Sequence, residues 1–183
     1  MDQQTTSRVP LWRFWQPRYW ALWLGLALLR LACLLPYRCQ LWLGRRLGGL
    51  LRRLLPRRRR VAARNLALCF PALDEGAREQ LLREHFASLG IALFELGLAW
   101  WASERMLDRL VHIEGLEHLL AAQAEGQGVV VLSGHFPAIE FTGRLARRSL
   151  PGLAALYRPH ENPFIDQLLR RGRERAGRLI PKD

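Results

Sequence analysis

The period of the apolar positions changes along the chain, and each change predicts a different element. Tyr19–Leu35 is a continuous apolar run of seventeen residues broken by one charge, Arg30. Its length lies at the lower edge of what crosses a hydrocarbon core, so the run predicts an N-terminal membrane helix. Trp12, Trp15, Tyr19, Trp20 and Trp23 would form an interfacial aromatic belt on one side of it. A secretory signal peptide is disfavoured, because Leu34-Leu35-Pro36-Tyr37-Arg38 offers no small-residue cleavage site and more basic residues follow. Arg30 leaves a shallow interfacial helix as the alternative to a spanning one.

From Cys39 to Pro56 the apolar positions fall into helical spacing. Leu43, Leu47, Leu50, Leu51, Leu54 and Leu55 recur at that spacing, while Arg45, Arg46, Arg52 and Arg53 occupy other faces. This predicts a basic amphipathic helix suited to an anionic membrane surface. Arg57–Arg60 extend the charge, and Val61–Cys69 is a short helix candidate. Asp74 is placed to cap a long helix running to about Trp101, with Leu81, Leu82, Phe86, Leu89, Leu93, Phe94 and Leu98 in a 3.6 period. The Trp100-Trp101 end suits either a membrane contact or a core contact.

Beyond Trp101 the pattern alternates between short β-branched or apolar runs and helical stretches. Strands are predicted at Arg109–Glu114, Gly128–Ser133 and Gly152–Tyr157. Helices are predicted at Leu116–Ala124, Ala138–Arg148 and Pro163–Ala176, the last with Asn162 as N-cap and Pro163 in its first position. Arg178–Lys182 reads as the start of a further strand. This succession predicts the α/β class, a sheet with helices packed on it. The chain therefore divides into a membrane-anchor segment (1–38), a basic amphipathic segment (39–73) and an α/β domain (74–183).

Charge sharpens that division. The net charge is +12, yet residues 1–73 hold fourteen arginines and one acid, Asp2, while residues 74–183 hold fourteen basic and fifteen acidic residues. All of the excess lies in the N-terminal part. Nucleic acid is the competing partner for such an arginine cluster, but leucines and tryptophans at lipid-like density surround these arginines, so lipid is the expected partner. Positive charge after the apolar run places the rest of the chain on the cytoplasmic side. The three cysteines, Cys33, Cys39 and Cys69, form no CxxC pair and give neither a metal spacing nor a disulfide framework.

Candidate chemistry concentrates at Gly128–Arg148. His135 follows a predicted strand and Gly134, at a carboxyl strand end where α/β ligand sites lie. Pro137 then opens a helix whose early turns carry Glu140. A carboxylate holding one imidazole nitrogen leaves the other free as a base. Spacing alone does not settle this. With 16 acids in 183 residues, five histidines would meet an acid five positions on in about 0.4 cases by chance. His112 and Glu117 share the same spacing. A structural histidine at a strand end stays open as the other reading of His135. The chain has no HExxH, no GxSxG and no Gly-rich phosphate loop, and Ser133 lacks a nucleophile-elbow context.

Several blocks stand together in order: RNLALCFP (Arg64–Pro71), Trp100-Trp101, IEGLEHL (Ile113–Leu119), VVVLSGHFPAIE (Val129–Glu140), YRPHENPFID (Tyr157–Asp166) and GRERAG (Gly172–Gly177). With the apolar N-terminus they resemble the lipid A biosynthesis lauroyl/myristoyl acyltransferase family, the late acyltransferases of lipopolysaccharide assembly. The resemblance implies a glycerolipid-acyltransferase-like fold and an HX4(D/E) acyltransferase with His135 and Glu140 as its dyad. It places Arg158 and Arg173 near the site as substrate-binding residues. It implies acyl-acyl carrier protein as donor, a lipid A precursor at the bacterial inner membrane as acceptor, and no metal or organic cofactor. Family members continue past the point matching Asp183, so the resemblance also implies an incomplete acyltransferase domain. Acylation of another membrane lipid, and a non-catalytic membrane-binding protein, are the alternatives.

Overall fold

The computed structural model describes residues 9–134, 136–150, 152–175 and 177–182. Two 3-10 turns, Leu11–Phe14 and Pro17–Tyr19, precede α1 (Trp20–Ala32), α2 (Tyr37–Leu54), α3 (Pro56–Cys69) and α4 (Glu75–Trp101). Then follow α5 (Glu104–Leu110), α6 (Leu116–Ala124), α7 (Ile139–Ser149), β1 (Ala154–Tyr157), α8 (Pro163–Arg173) and β2 (Arg178–Pro181). The described chain is mostly helical, and its strands are a single parallel pair, Ala154 opposite Arg178 through Tyr157 opposite Pro181. The chain forms two compact units. One comprises the described parts of Met1–Leu28, Ile113–Val130 and Glu140–Asp183; the other comprises Leu29–His112 and the described parts of Val131–Ile139.

In the second unit, α2 and α4 pack backbone to backbone. A methyl group on Gly48 would run into the Phe86 carbonyl, and one on Gly90 into the Gly44 carbonyl. Glycine is the residue that permits this approach, as small residues do at close helix crossings. Asp74 caps α4 by accepting from the Ala77 N–H at 2.8 Å. Leu82, Phe86, Phe94 and Leu98 form its buried face. The expected boundaries of this helix are borne out, and Trp100 is buried in the fold.

The spanning length expected of the apolar run is not reached. The apolar run yields a thirteen-residue α1, about 20 Å long at 1.5 Å per residue, against the ~30 Å of a hydrocarbon core. Among the described residues no helix is long and apolar enough to cross a membrane. The helix stops because buried Gln40 donates from Nε2 to the carbonyls of Leu35 (2.8 Å) and Cys33 (3.4 Å), and because Pro36 disfavours helix at the residue before it. The single charge in the run has a protein partner: the Arg30 guanidinium stands 5.4 Å from the centre of the Trp101 ring.

The aromatic belt also divides. Tyr19 is buried with Phe14 and Phe164, and Trp23 packs on Phe164 at 5.1 Å between ring centroids. Trp12, Trp15 and Trp20 remain exposed. These aromatics make α8 the centre of the first unit. Phe164 is 1% exposed, Gln167 accepts from the Val9 N–H, and Arg171 donates to the Val9 carbonyl.

Two predicted strands are not strands. Arg109 and Leu110 close α5, which Ser103 caps by accepting from the Met106 N–H at 3.3 Å. Gly128–Ser133 has no ladder partner among the described residues, and Val130 and Leu132 are 95% and 97% exposed. A β-branched run becomes a strand only where a neighbour takes its N–H and C=O groups. The remaining expectations fall close to their elements, with Leu116–Ala124 matching α6 and Asn162 capping α8.

Candidate active site

Glu140 stands in the first turn of α7, where a carboxylate is favoured by the helix dipole. Arg173, the last residue of α8, reaches it. Its Nε donates to Glu140 Oε1 at 2.8 Å and its Nη2 donates to the same oxygen at 2.6 Å. The Glu140 side chain is 14% exposed and that of Arg173 is 34% exposed. Charge-assisted bonds of this length, half withdrawn from water, are stronger than surface ion pairs. Both guanidinium N–H groups end on Oε1, so neither occupies Oε2.

The position of Arg173 is set by the rest of α8. Asn162 Oδ1 accepts from the N–H groups of Phe164 (3.0 Å) and Ile165 (3.3 Å), which fixes where the helix starts. The preceding loop is tied to the same turn: the His160 N–H donates to Asp166 Oδ1 at 2.8 Å, and His160 Nδ1 accepts from the Asn162 N–H at 3.0 Å. The arginines of the helix are shared out. Arg170 lies over the Tyr157 ring and Arg171 holds Val9, while Arg173 is directed to Glu140. Gly177 then lets the chain pass so close to the Leu153 carbonyl that a methyl group would collide with it. Arg178 N–H bonds that carbonyl at 2.9 Å, which starts the β1–β2 ladder.

Of the expected site residues, the structure brings Glu140 and Arg173 together. Arg158 is exposed just past the carboxyl end of β1, before the opposite end of α8 from Arg173. His135 lies outside the described residues. Glu117, the acid of the competing pair with His112, lies 3.8 Å from His118 Nε2, and the Glu117 and His118 side chains are largely exposed. Ser133 Oγ donates to the Gly134 carbonyl at 3.3 Å. Among the described residues no three His, Cys, Asp or Glu side chains gather to hold a metal ion. Sequence reasoning missed the His160–Asn162–Asp166 network; its one local signal was Asn162 before Pro163.

The structure thus holds a carboxylate anchored at a helix start beside a parallel strand pair, and comparison with known proteins fixes the family. The profile of the bacterial lipid A biosynthesis acyltransferase family matches residues 10–183, and the chain belongs to that family. It is 40% identical over 167 residues to the lipid A biosynthesis palmitoleoyltransferase of Escherichia coli (strain K12), covering 91% of this chain and 54% of that protein. It is 38% identical over 164 residues to the lipid A biosynthesis lauroyltransferase of the same organism, covering 90% and 53%. A lipid A biosynthesis acyltransferase of Haemophilus influenzae (strain ATCC 51907 / DSM 11121 / KW20 / Rd) is 37% identical over 167 residues, covering 90% and 53%. The chain spans about half the length of the curated relatives it matches. No solved structure matches.

Proposed function

We propose that this chain carries the histidine–carboxylate centre of an O-acyltransferase that moves a fatty acyl chain from acyl-acyl carrier protein to a hydroxyl of a lipid A precursor. The observation that carries the reading is the anchoring of Glu140 by Arg173, five residues past His135 in an HX4E spacing. Family membership supports the reaction class.

In this reading His135 takes the proton of the acceptor hydroxyl. The oxygen attacks the thioester carbonyl, forming the new C–O bond. The tetrahedral intermediate collapses with cleavage of C–S, and the protonated His135 returns its proton to the departing thiolate. Glu140 orients the imidazole and offsets its charge, with Oε2 as the acceptor for the ring N–H. Arg173 holds that carboxylate in place through its two hydrogen bonds. Backbone N–H groups in the first turn of α7 are assigned to the developing oxyanion. Arg158 is assigned to an anionic group of the acceptor, which a guanidinium recognises in bidentate fashion.

Attachment to the cytoplasmic face of the bacterial inner membrane follows from a lipid acceptor and from the arginines of α2 and α3. The test is direct: the protein is incubated with labelled acyl-acyl carrier protein and a lipid A precursor, and the acceptor's mass is followed. Gain of one acyl chain is expected; an unchanged acceptor with intact protein overturns the reading.

A further inference from the structure

Away from Glu140, in the second unit, α2, α3 and α4 enclose a cleft of about 460 Å³, within the range of small-molecule sites. Leu55, Val61, Ala62, Leu66 and Leu89 form its walls, and Arg58, Asn65 and His85 supply polar groups. The surrounding helix has an unusual balance. None of the fourteen residues of α3 is buried, although an isolated helix of that length is marginal in water. Ten arginines and no acid lie between Tyr37 and Cys69. Glu79 pairs with Arg52 and with Arg59, the latter at 3.8 Å. Arg57, Arg58, Arg60 and Arg64 have no ion pair among the described residues. Beside these charges, Leu54, Val61 and Leu68 are each more than half exposed.

We propose that this cleft takes an acyl chain of an anionic bilayer lipid, with the α3 arginines on its phosphate. A polyanion such as duplex DNA would neutralise the arginines but leave Leu54, Val61 and Leu68 in water. An uncharged apolar partner would cover the leucines and bury unpaired guanidinium groups, which is costly. A phospholipid surface presents phosphate and hydrocarbon together, at the spacing that a basic amphipathic helix reads. The proposal goes beyond acyl transfer, since it assigns the chain a lipid site distinct from the Glu140–Arg173 pair.

The experiment uses the intact protein with vesicles of phosphatidylcholine alone, and of phosphatidylcholine mixed with phosphatidylglycerol that carries a photoreactive acyl chain. Flotation with the anionic vesicles and adducts on Val61, Leu66 or Leu89 are expected. The triple change Arg57→Ser, Arg58→Ser, Arg60→Ser should weaken flotation about a hundredfold, at roughly one kilocalorie per arginine. Ala62→Trp, which fills the cleft and leaves the arginines, should cut the adducts about tenfold with helical circular dichroism retained. Should Ala62→Trp lose its helical signal, Leu66→Phe narrows the cleft by less and is read at Val61 and Leu89 in the same way. Adducts confined to α1, adduct yields unchanged by the folded cleft-filling variant, or duplex DNA binding as tightly as the vesicles would each overturn the proposal.

Discussion

Arg173 and Glu140, thirty-three residues apart, meet through two charge-assisted hydrogen bonds that converge on one carboxylate oxygen, at 2.6 and 2.8 Å. One consequence is rigidity: the carboxylate in the first turn of α7 is held by the last residue of α8. A second is electrostatic. The guanidinium charge attracts the Glu140 carboxylate through both hydrogen bonds. Arg173→Ala and Glu140→Gln should each lower stability by about 1–2 kcal/mol, discounted for the partial exposure of the arginine. The double variant should cost less than the sum, because the pair is broken only once. Urea unfolding of the four proteins measures this coupling, and strict additivity would show that the pair contributes nothing.

The cap of α8 is a separate determinant of where Arg173 lies. Asn162→Ala removes the acceptor for two N–H groups and should cost about 1 kcal/mol. If α8 positions Arg173 as described, the variant should also weaken the Glu140–Arg173 coupling in the same unfolding measurement. An unchanged midpoint would mean that the cap is dispensable.

The α2–α4 crossing gives a sharp contrast between neighbouring glycines. Gly48→Ala places a methyl group against the Phe86 carbonyl, whereas Gly49 has nothing within 4 Å of its would-be Cβ. Gly48→Ala should destabilise by about 3 kcal/mol or more through forced separation of the helices. Gly49→Ala should be neutral or stabilising by up to about 1 kcal/mol, because it improves helix propensity without a clash. Thermal melts followed by circular dichroism compare the two.

Alkaline pH probes the same unit. Burial, with Glu95 beside it, pushes the Tyr37 hydroxyl up to about 12 from its ordinary 10.0, and the hydroxyl donates to Glu95 Oε1 at 3.1 Å. The folded state therefore keeps this proton at pH values where the unfolded chain has released it. The resulting stabilisation is fully present below pH 10 and is lost as pH rises from about 10 to 12. Its size is on the order of 2 kcal/mol at most, reduced by solvent screening. Unfolding measured across that window should show a falling stability with a component absent from Tyr37→Phe; identical profiles would remove Tyr37 from the account.

Much of the helical scaffold was legible because its signals are local. Asp74 before Glu75, the 3.6 period through Leu98, and Asn162-Pro163 are capping and burial patterns contained within a few turns. The spanning length was not reached for a local reason that periodicity ignores: Pro36 and the Gln40 side chain stop α1 after thirteen residues. Gly128–Ser133 failed for a non-local one, since its composition states a preference that pairing must realise. Gly44, Gly48 and Gly90 carry no such local signal, and only the crossing of two backbones explains them. The Glu140–Arg173 bond belongs to the same class. Each residue was an expected member of the site, but nothing in the spacing joined them.

The central claim is that Glu140, anchored by Arg173, serves His135 as the general-base pair of an acyl transfer. The most direct measurement is the rate of acyl transfer from labelled acyl-acyl carrier protein to a lipid A precursor, compared across the parent, His135→Ala, Glu140→Ala and His112→Ala. Loss of about a hundredfold to ten-thousandfold in the His135 and Glu140 variants is predicted, with His112→Ala transferring at the parental rate. Parental rates in both His135→Ala and Glu140→Ala would contradict the claim.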